Sequence, residues 1–87
     1  MTSLETTRKR LLWRATHRGI KEMDILVGGY ATRNIAVMDE AALAQFETLL
    51  EIPDQDLLAW ATKQQTVPDD HQSAMLNDIL TFRPETA

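Results

Sequence analysis

Asp39-Glu40-Ala41-Ala42-Leu43-Ala44-Gln45-Phe46-Glu47-Thr48-Leu49-Leu50 reads as an amphipathic helix, and the reading of its neighbours follows from it. Leu43, Phe46, Leu49 and Leu50 fall on one face, while Glu40, Gln45, Glu47 and the following Glu51 project elsewhere. Asp39 is placed to accept the first free amides as an N-cap, and Pro53 breaks the helix after it. Toward the C-terminus, Asp54 or a close neighbour starts a short fourth helix through Leu57, Leu58, Trp60 and Ala61. Pro68-Asp69-Asp70 is expected to open a fifth, with Met75, Leu76, Ile79 and Leu80 as its buried stripe and Arg83-Pro84 as its end. Toward the N-terminus, Thr2 or Ser3 caps a first helix, Thr2 with Glu5 as a capping box, and Leu4, Leu11, Leu12 and Ala15 recur at helical spacing until Gly19 stops it. A second helix runs from Ile20 with Met23, Ile25, Leu26, Val27 and Tyr30. Gly28-Gly29 is its weak point, since each interior glycine costs about 1 kcal/mol relative to alanine. Either the helix ends there or packing overrides the propensity.

No stretch alternates as a half-buried strand does, and no Asn-Gly or Asp-Gly hairpin turn occurs. The predicted fold class is therefore all-α: a compact bundle of about five short helices, one domain over residues 1–87 with an ordered core over about 4–82. Met23, Met38, Phe46, Trp60, Met75 and Phe82 sit on or near the apolar faces and read as core, with Trp60 as an anchor.

At 87 residues, 44% hydrophobic and 25% charged, the chain has the composition of an ordinary globular domain. Without cysteine it excludes disulfides, thiolate metal sites, iron–sulfur ligation and cysteine nucleophiles. No run approaches the ~18–20 apolar residues needed to span a bilayer, so no membrane insertion is expected. Met1-Thr2-Ser3-Leu4-Glu5 has no apolar signal region, which points to a bacterial cytoplasm, or to the mitochondrial matrix for a processed organellar form.

Catalytic patterns are absent. His17 and His71 lie in no metal-binding spacing, and neither has a serine or threonine singled out as a triad partner. Asp54 with Asp56, and Asp69 with Asp70, read as helix-capping acids rather than a proton-sharing dyad. Gly28-Gly29 has no preceding strand and belongs to no phosphate-cradling loop. The chain is expected to be no enzyme, to hold no metal and to need no cofactor of its own.

Charge is unevenly divided. Residues 1–21 carry six cations, Arg8, Lys9, Arg10, Arg14, Arg18 and Lys21, against Glu5, whereas the remainder carries three cations against twelve acids. The basic segment ends in His17-Arg18-Gly19-Ile20-Lys21-Glu22-Met23-Asp24. A positive φ at Gly19 would turn the chain sharply and leave its backbone approachable. The Arg18 guanidinium is a planar donor fork, and Glu22 near the start of helix two is an acceptor favoured by the helix dipole. The competing reading pairs Arg18 with Glu22 across one helical turn on a solvated surface, worth a few tenths of a kcal/mol.

Arg18-Gly19-Ile20-Lys21-Glu22, followed by Met23-Asp24, resembles the Arg-Gly-x-x-Glu hallmark of the succinate dehydrogenase assembly factor 2 family, the flavinylation factors of proteobacteria and mitochondria. Leu49-Leu50-Glu51-Ile52-Pro53-Asp54-Gln55-Asp56-Leu57-Leu58-Ala59-Trp60 is a second match, similar to that family's Leu-Leu-Glu, Asp-x-Asp-Leu and Trp segment. The resemblance covers roughly residues 8–82 and departs at Gly28-Gly29-Tyr30, where some relatives are expected to carry a bulkier apolar stretch. It implies a five-helix bundle that binds the flavoprotein subunit of succinate dehydrogenase, in some bacteria also that of fumarate reductase, and promotes covalent linkage of FAD to it. FAD is then the partner's cofactor. By the motif match, Arg18, Gly19 and Glu22 form the functional surface, with Lys21, Asp24 and His17 as neighbours contacting the partner.

Two other classes remain to be weighed. A small nucleic-acid-binding helical module is motivated by the cations of residues 8–21 and opposed by the acidic remainder and a pI near 5.0. A regulatory or antitoxin-like partner would bind a protein without flavin, which the bound protein's visible absorption distinguishes.

Overall fold

A computed structural model describes residues 3–83. Five α-helices follow one another: α1 (Leu4–Thr16), α2 (Lys21–Asn34), α3 (Glu40–Leu50), α4 (Asp54–Ala61) and α5 (Ala74–Leu80). Single 3-10 turns at Ile35–Val37 and Asp69–His71 interrupt the connections, and no strand occurs among the described residues. The all-α expectation holds.

Side-chain caps place several boundaries. Ser3 accepts from the Thr6 amide at the start of α1, and the alternative capping residue, Thr2, lies outside the described residues. Asp39 accepts from the Ala42 amide at 2.8 Å, as its position predicts. Pro53 precedes α4, so Asp54 becomes its first residue. The fifth helix begins later than expected. Pro68-Asp69-Asp70 opens only the second 3-10 turn (Asp69–His71), Gln72 and Ser73 are extended, and Ser73 caps α5 by accepting from the Leu76 amide at 3.0 Å. The serine hydroxyl satisfies an amide that Pro68 cannot, so the α-helical ladder starts there. Its sequence-expected terminator, Pro84, lies outside the described residues.

α2 runs unbroken through Gly28-Gly29 to Asn34, so packing overrides propensity. Gly28 is where α1 comes closest. A β-carbon on it would stand 3.1 Å from the Ala15 carbonyl oxygen and 3.2 Å from Thr16 Cα. At Gly29 the obstacle is the Phe82 ring, 2.5 Å away at its nearest edge. The two glycines let the end of α1 and the segment after α5 settle onto neighbouring faces of α2.

The buried side chains form one cluster around Leu11, Met23, Leu43, Phe46 and Leu76, all essentially inaccessible. Met38 and Trp60 belong to it as expected, whereas Met75 and Phe82 are only half-buried. Leu4 and Ile25, read as part of apolar faces, are instead exposed. α1 packs on α2 and α3, and α2 reaches α4 and α5 on its other sides. The turn between α1 and α2 therefore sits beside the turn between α3 and α4, which positions the site.

Candidate functional site

The α1–α2 corner comprises four residues. His17 caps α1 with φ −129° and ψ 57°, and Ile20 opens α2 in extended conformation without a side-chain cap. Between them Gly19 adopts φ +104°, and the space its side chain would occupy is empty to 4 Å. The positive-φ corner and its bare backbone, both read from the sequence, are present. Asp24 closes the corner from inside, since its Oδ1 accepts from the Arg18 backbone amide at 2.6 Å. Asp24 is thus committed to the turn. Lys21 and Glu22 are exposed, and neither side chain has a polar partner among the described residues.

The Arg18 side chain lies otherwise than expected. Only 9% exposed, it points away from Glu22 and across to the α3–α4 connection. Nε donates to Asp54 Oδ1 at 2.7 Å, Nη1 to the Leu50 carbonyl at 2.7 Å and Nη2 to the Ile52 carbonyl at 2.8 Å. Neither the exposed donor fork nor the one-turn pair with Glu22 forms. The physical reason is a denser set of acceptors further along the chain. Leu50 ends α3, where carbonyls lack helical partners and the dipole is negative, and Asp54 sits in the first turn of α4, where a carboxylate is favoured. A guanidinium between them satisfies both, and its fork geometry allows three bonds at once. No buried side-chain polar atom is left unpaired among the described residues.

Beside this bond set, the last turn of α1 carries an aromatic platform. Trp13, 62% exposed, stacks on His17 with ring centroids 4.3 Å apart and planes 13° from parallel. His17 Nδ1 lies 2.8 Å from the Trp13 carbonyl oxygen, which can only accept, so the ring donates there and is held against the indole. Trp13 and His17 line one wall of an open cleft of about 390 Å³, whose other wall is Glu51, Pro53 and Asp54. Trp13 escaped the sequence reading because it lies off the apolar stripe of α1. A large aromatic side chain on a polar helical face was the available signal.

The basic segment is largely neutralised by the fold itself. Arg8 donates to the Ile35 and Met38 carbonyls at 3.1 and 2.8 Å, fastening the other end of α1 to the α2–α3 connection. Arg10 pairs with Glu47 at 2.9 Å, Arg14 with Glu51 at 3.5 Å, and Lys9 with Glu5 at 3.6 Å. The hydrogen bond from Arg10, with its charge, holds the Glu47 carboxyl below its ordinary range. Of the six cations from Arg8 to Lys21, Lys21 alone has no polar partner for its side chain among the described residues. The positive field that motivates a nucleic-acid interface is thus mostly spent within the molecule. No group of histidine, aspartate and glutamate that could hold a metal occurs among the described residues, and no described helix is long and apolar enough to cross a membrane.

Comparison with known proteins gives one consistent answer. The sequence profile of a family described as the flavinator of succinate dehydrogenase matches residues 9–83. A mitochondrial succinate dehydrogenase assembly factor 2 from Dictyostelium discoideum is 36% identical over 76 residues, covering 87% of this chain and 54% of the relative. An FAD assembly factor SdhE from Acetobacter pasteurianus is 38% identical over 78 residues, covering 90% of this chain and 72% of the relative. The Danio rerio succinate dehydrogenase assembly factor 2 is 33% identical over 82 residues, covering 92% of this chain and 52% of the relative. The chain therefore spans about half the length of these mitochondrial relatives and more of the bacterial one, and both motif segments lie inside the matched region.

Proposed function

The chain belongs to the succinate dehydrogenase flavinator family, and from that membership we propose that it binds the flavoprotein subunit of succinate dehydrogenase and promotes covalent attachment of FAD to it. The observation that carries this reading is the family match over residues 9–83, which includes both the Arg18–Glu22 and the Leu49–Trp60 motifs. The flavin and the subunit supply the reacting atoms, and the factor acts without catalysing a step on its own residues. Its contribution is positional: docking on the immature subunit favours the arrangement in which cofactor and acceptor side chain meet, and orientation alone is worth several kcal/mol of barrier.

The docking surface in this reading is the Gly19 corner. Its bare backbone admits close approach, Lys21 and Glu22 offer an unpaired cation and anion, and the Trp13–His17 stack adds an aromatic surface of the kind that anchors interfaces. Glu22 is the sharpest probe, because it is exposed and braces nothing. Glu22→Ala is expected to leave the helical circular dichroism and melting temperature unchanged while lowering covalent flavin on a co-expressed flavoprotein subunit. In-gel flavin fluorescence of the denatured subunit reads the bond directly. Wild-type levels of covalent flavin in that variant would remove Glu22 from the surface.

A further inference from the structure

We propose that Arg18 acts as a positioning residue, with Asp54 as its partner, joining the two motif segments into a single docking surface without itself contacting the flavoprotein. The proposal rests on the functional reading above and deepens it. Arg18 is the first residue of the Arg-Gly-x-x-Glu motif, yet its guanidinium is spent on Asp54, Leu50 and Ile52, all in the second motif and all within 2.8 Å. With the side chain 9% exposed and each of its three nitrogens already donating inward, it has little open surface to offer a carboxylate from outside.

The bond set ties the α1–α2 corner directly to the α3–α4 turn. α1 touches α3 elsewhere through Arg10, Arg14 and their glutamates, which are half-exposed and screened. Arg18 instead acts at both ends of one short segment. Its backbone amide is held by Asp24, which sets the Gly19 corner, and its guanidinium holds the carbonyls of the α3–α4 turn. Corner and turn then form the two walls of the cleft between Trp13–His17 and Glu51–Pro53. Removing either charge leaves the other largely covered and without its counter-charge, an unfavourable state that the chain relieves by opening the cleft. Asp54 therefore belongs to the functional machinery although it borders no unpaired surface group of the first motif.

A double-mutant cycle on binding tests this. The full-length chain is titrated against the purified non-covalent flavoprotein subunit by calorimetry, at a temperature where near-ultraviolet dichroism of Trp13 and Trp60 shows each variant to be folded. Arg18→Ala and Asp54→Ala are each expected to weaken binding about tenfold or more, and the double variant to be no weaker than the worse single one. Glu22→Ala, outside the bond set, is expected to add its full loss to that of Asp54→Ala. Wild-type affinity in Asp54→Ala beside a large loss in Arg18→Ala would overturn the proposal, because Arg18 then touches the partner directly. Additive losses in the Arg18/Asp54 double variant would overturn it too. Should Arg18→Ala fail to fold, Arg18→Lys keeps the charge without the three-way fork. Amide exchange is then expected to rise over residues 50–54 and not over α5, and an unchanged pattern with weakened binding contradicts the positioning role. If the wild-type chain does not bind the subunit at all, the functional reading fails, a result distinct from any of these.

Discussion

Gly19 and Gly28 both present bare backbone, one to open space and the other to a neighbouring helix. At Gly19 nothing lies within 4 Å of the missing side chain, and the requirement is conformational, a φ of +104° that lies beyond the left-handed well tolerated by other residues. At Gly28 the backbone is ordinary α-helix, and the requirement is steric, because a β-carbon there would stand 3.1–3.2 Å from the end of α1. The first glycine leaves a surface free for another molecule. The second brings α1 against α2, so that the Gly19 corner between them is rigid.

The largest expected effect follows from the crowded position. Gly28→Val inserts three carbons against the Ala15 carbonyl and Thr16 Cα, which are backbone and cannot swing aside. A loss of about 3 kcal/mol is expected, or a melting temperature lower by more than about 10 °C for a chain of this size. A thermal melt followed by circular dichroism measures it. A fall of less than about 2 °C would mean that α1 and α2 are not held as closely as their backbones indicate.

Gly19→Ala separates the two kinds of glycine. The methyl group clashes with nothing, so the cost is the backbone strain of positive φ alone, about 1–2 kcal/mol. Stability should fall by less than in Gly28→Val, while covalent flavin on the partner subunit falls by more than the stability loss explains. Equal stability losses in the two variants would show that the Gly19 corner is as covered as Gly28.

This contrast also separates what was legible in the sequence from what was not. Gly19 was readable because its demand is local: a glycine after an apolar-periodic helix, followed at once by another, marks a positive-φ corner. Asp39 and Pro53 were readable for the same reason. Gly28-Gly29 is not decided by local sequence, because the competing terms, about 1 kcal/mol of propensity per glycine against packing by Ala15, Thr16 and Phe82, involve residues distant in sequence. The direction of the Arg18 side chain is hidden on the same ground. Glu22 is its nearest carboxylate along the chain, and only the fold brings Asp54 and the α3 carbonyls to it. The late start of α5 is different, a local competition in which the Ser73 cap beats the Pro68-Asp69-Asp70 start.

Lys63 extends the comparison to a corner without glycine. It takes φ 62°, closing α4 with its amide on the Trp60 carbonyl at 3.2 Å while Gln64 reaches Ala59 at 2.8 Å. This angle lies within the left-handed well, so a lysine tolerates it at a modest cost, unlike the wider φ of Gly19. Lys63→Gly removes the strain but frees the unfolded chain, and a net gain of about 0.5 kcal/mol is expected, read as a small rise in denaturation midpoint. A loss would show that Lys63 makes a contribution beyond its backbone shape.

The smallest expected effect is at Gly29, and it tests what kind of cover matters. A methyl group there meets the Phe82 ring edge at 2.5 Å, closer even than the contacts at Gly28. Distance alone would therefore rank Gly29→Ala as the more damaging alanine substitution. The obstacle, however, is the far edge of a half-buried side chain beyond the end of α5, with the Arg33 guanidinium 5.6 Å from its centroid. The ring can rotate outward at little cost, and alanine returns about 1 kcal/mol of helix propensity that glycine forfeits. The two terms nearly cancel, so Gly29→Ala should melt within about 2 °C of the wild type. Gly28→Ala, facing immovable backbone at 3.1 Å, should melt lower. The reverse order would mean that Phe82 is held as firmly as the end of α1.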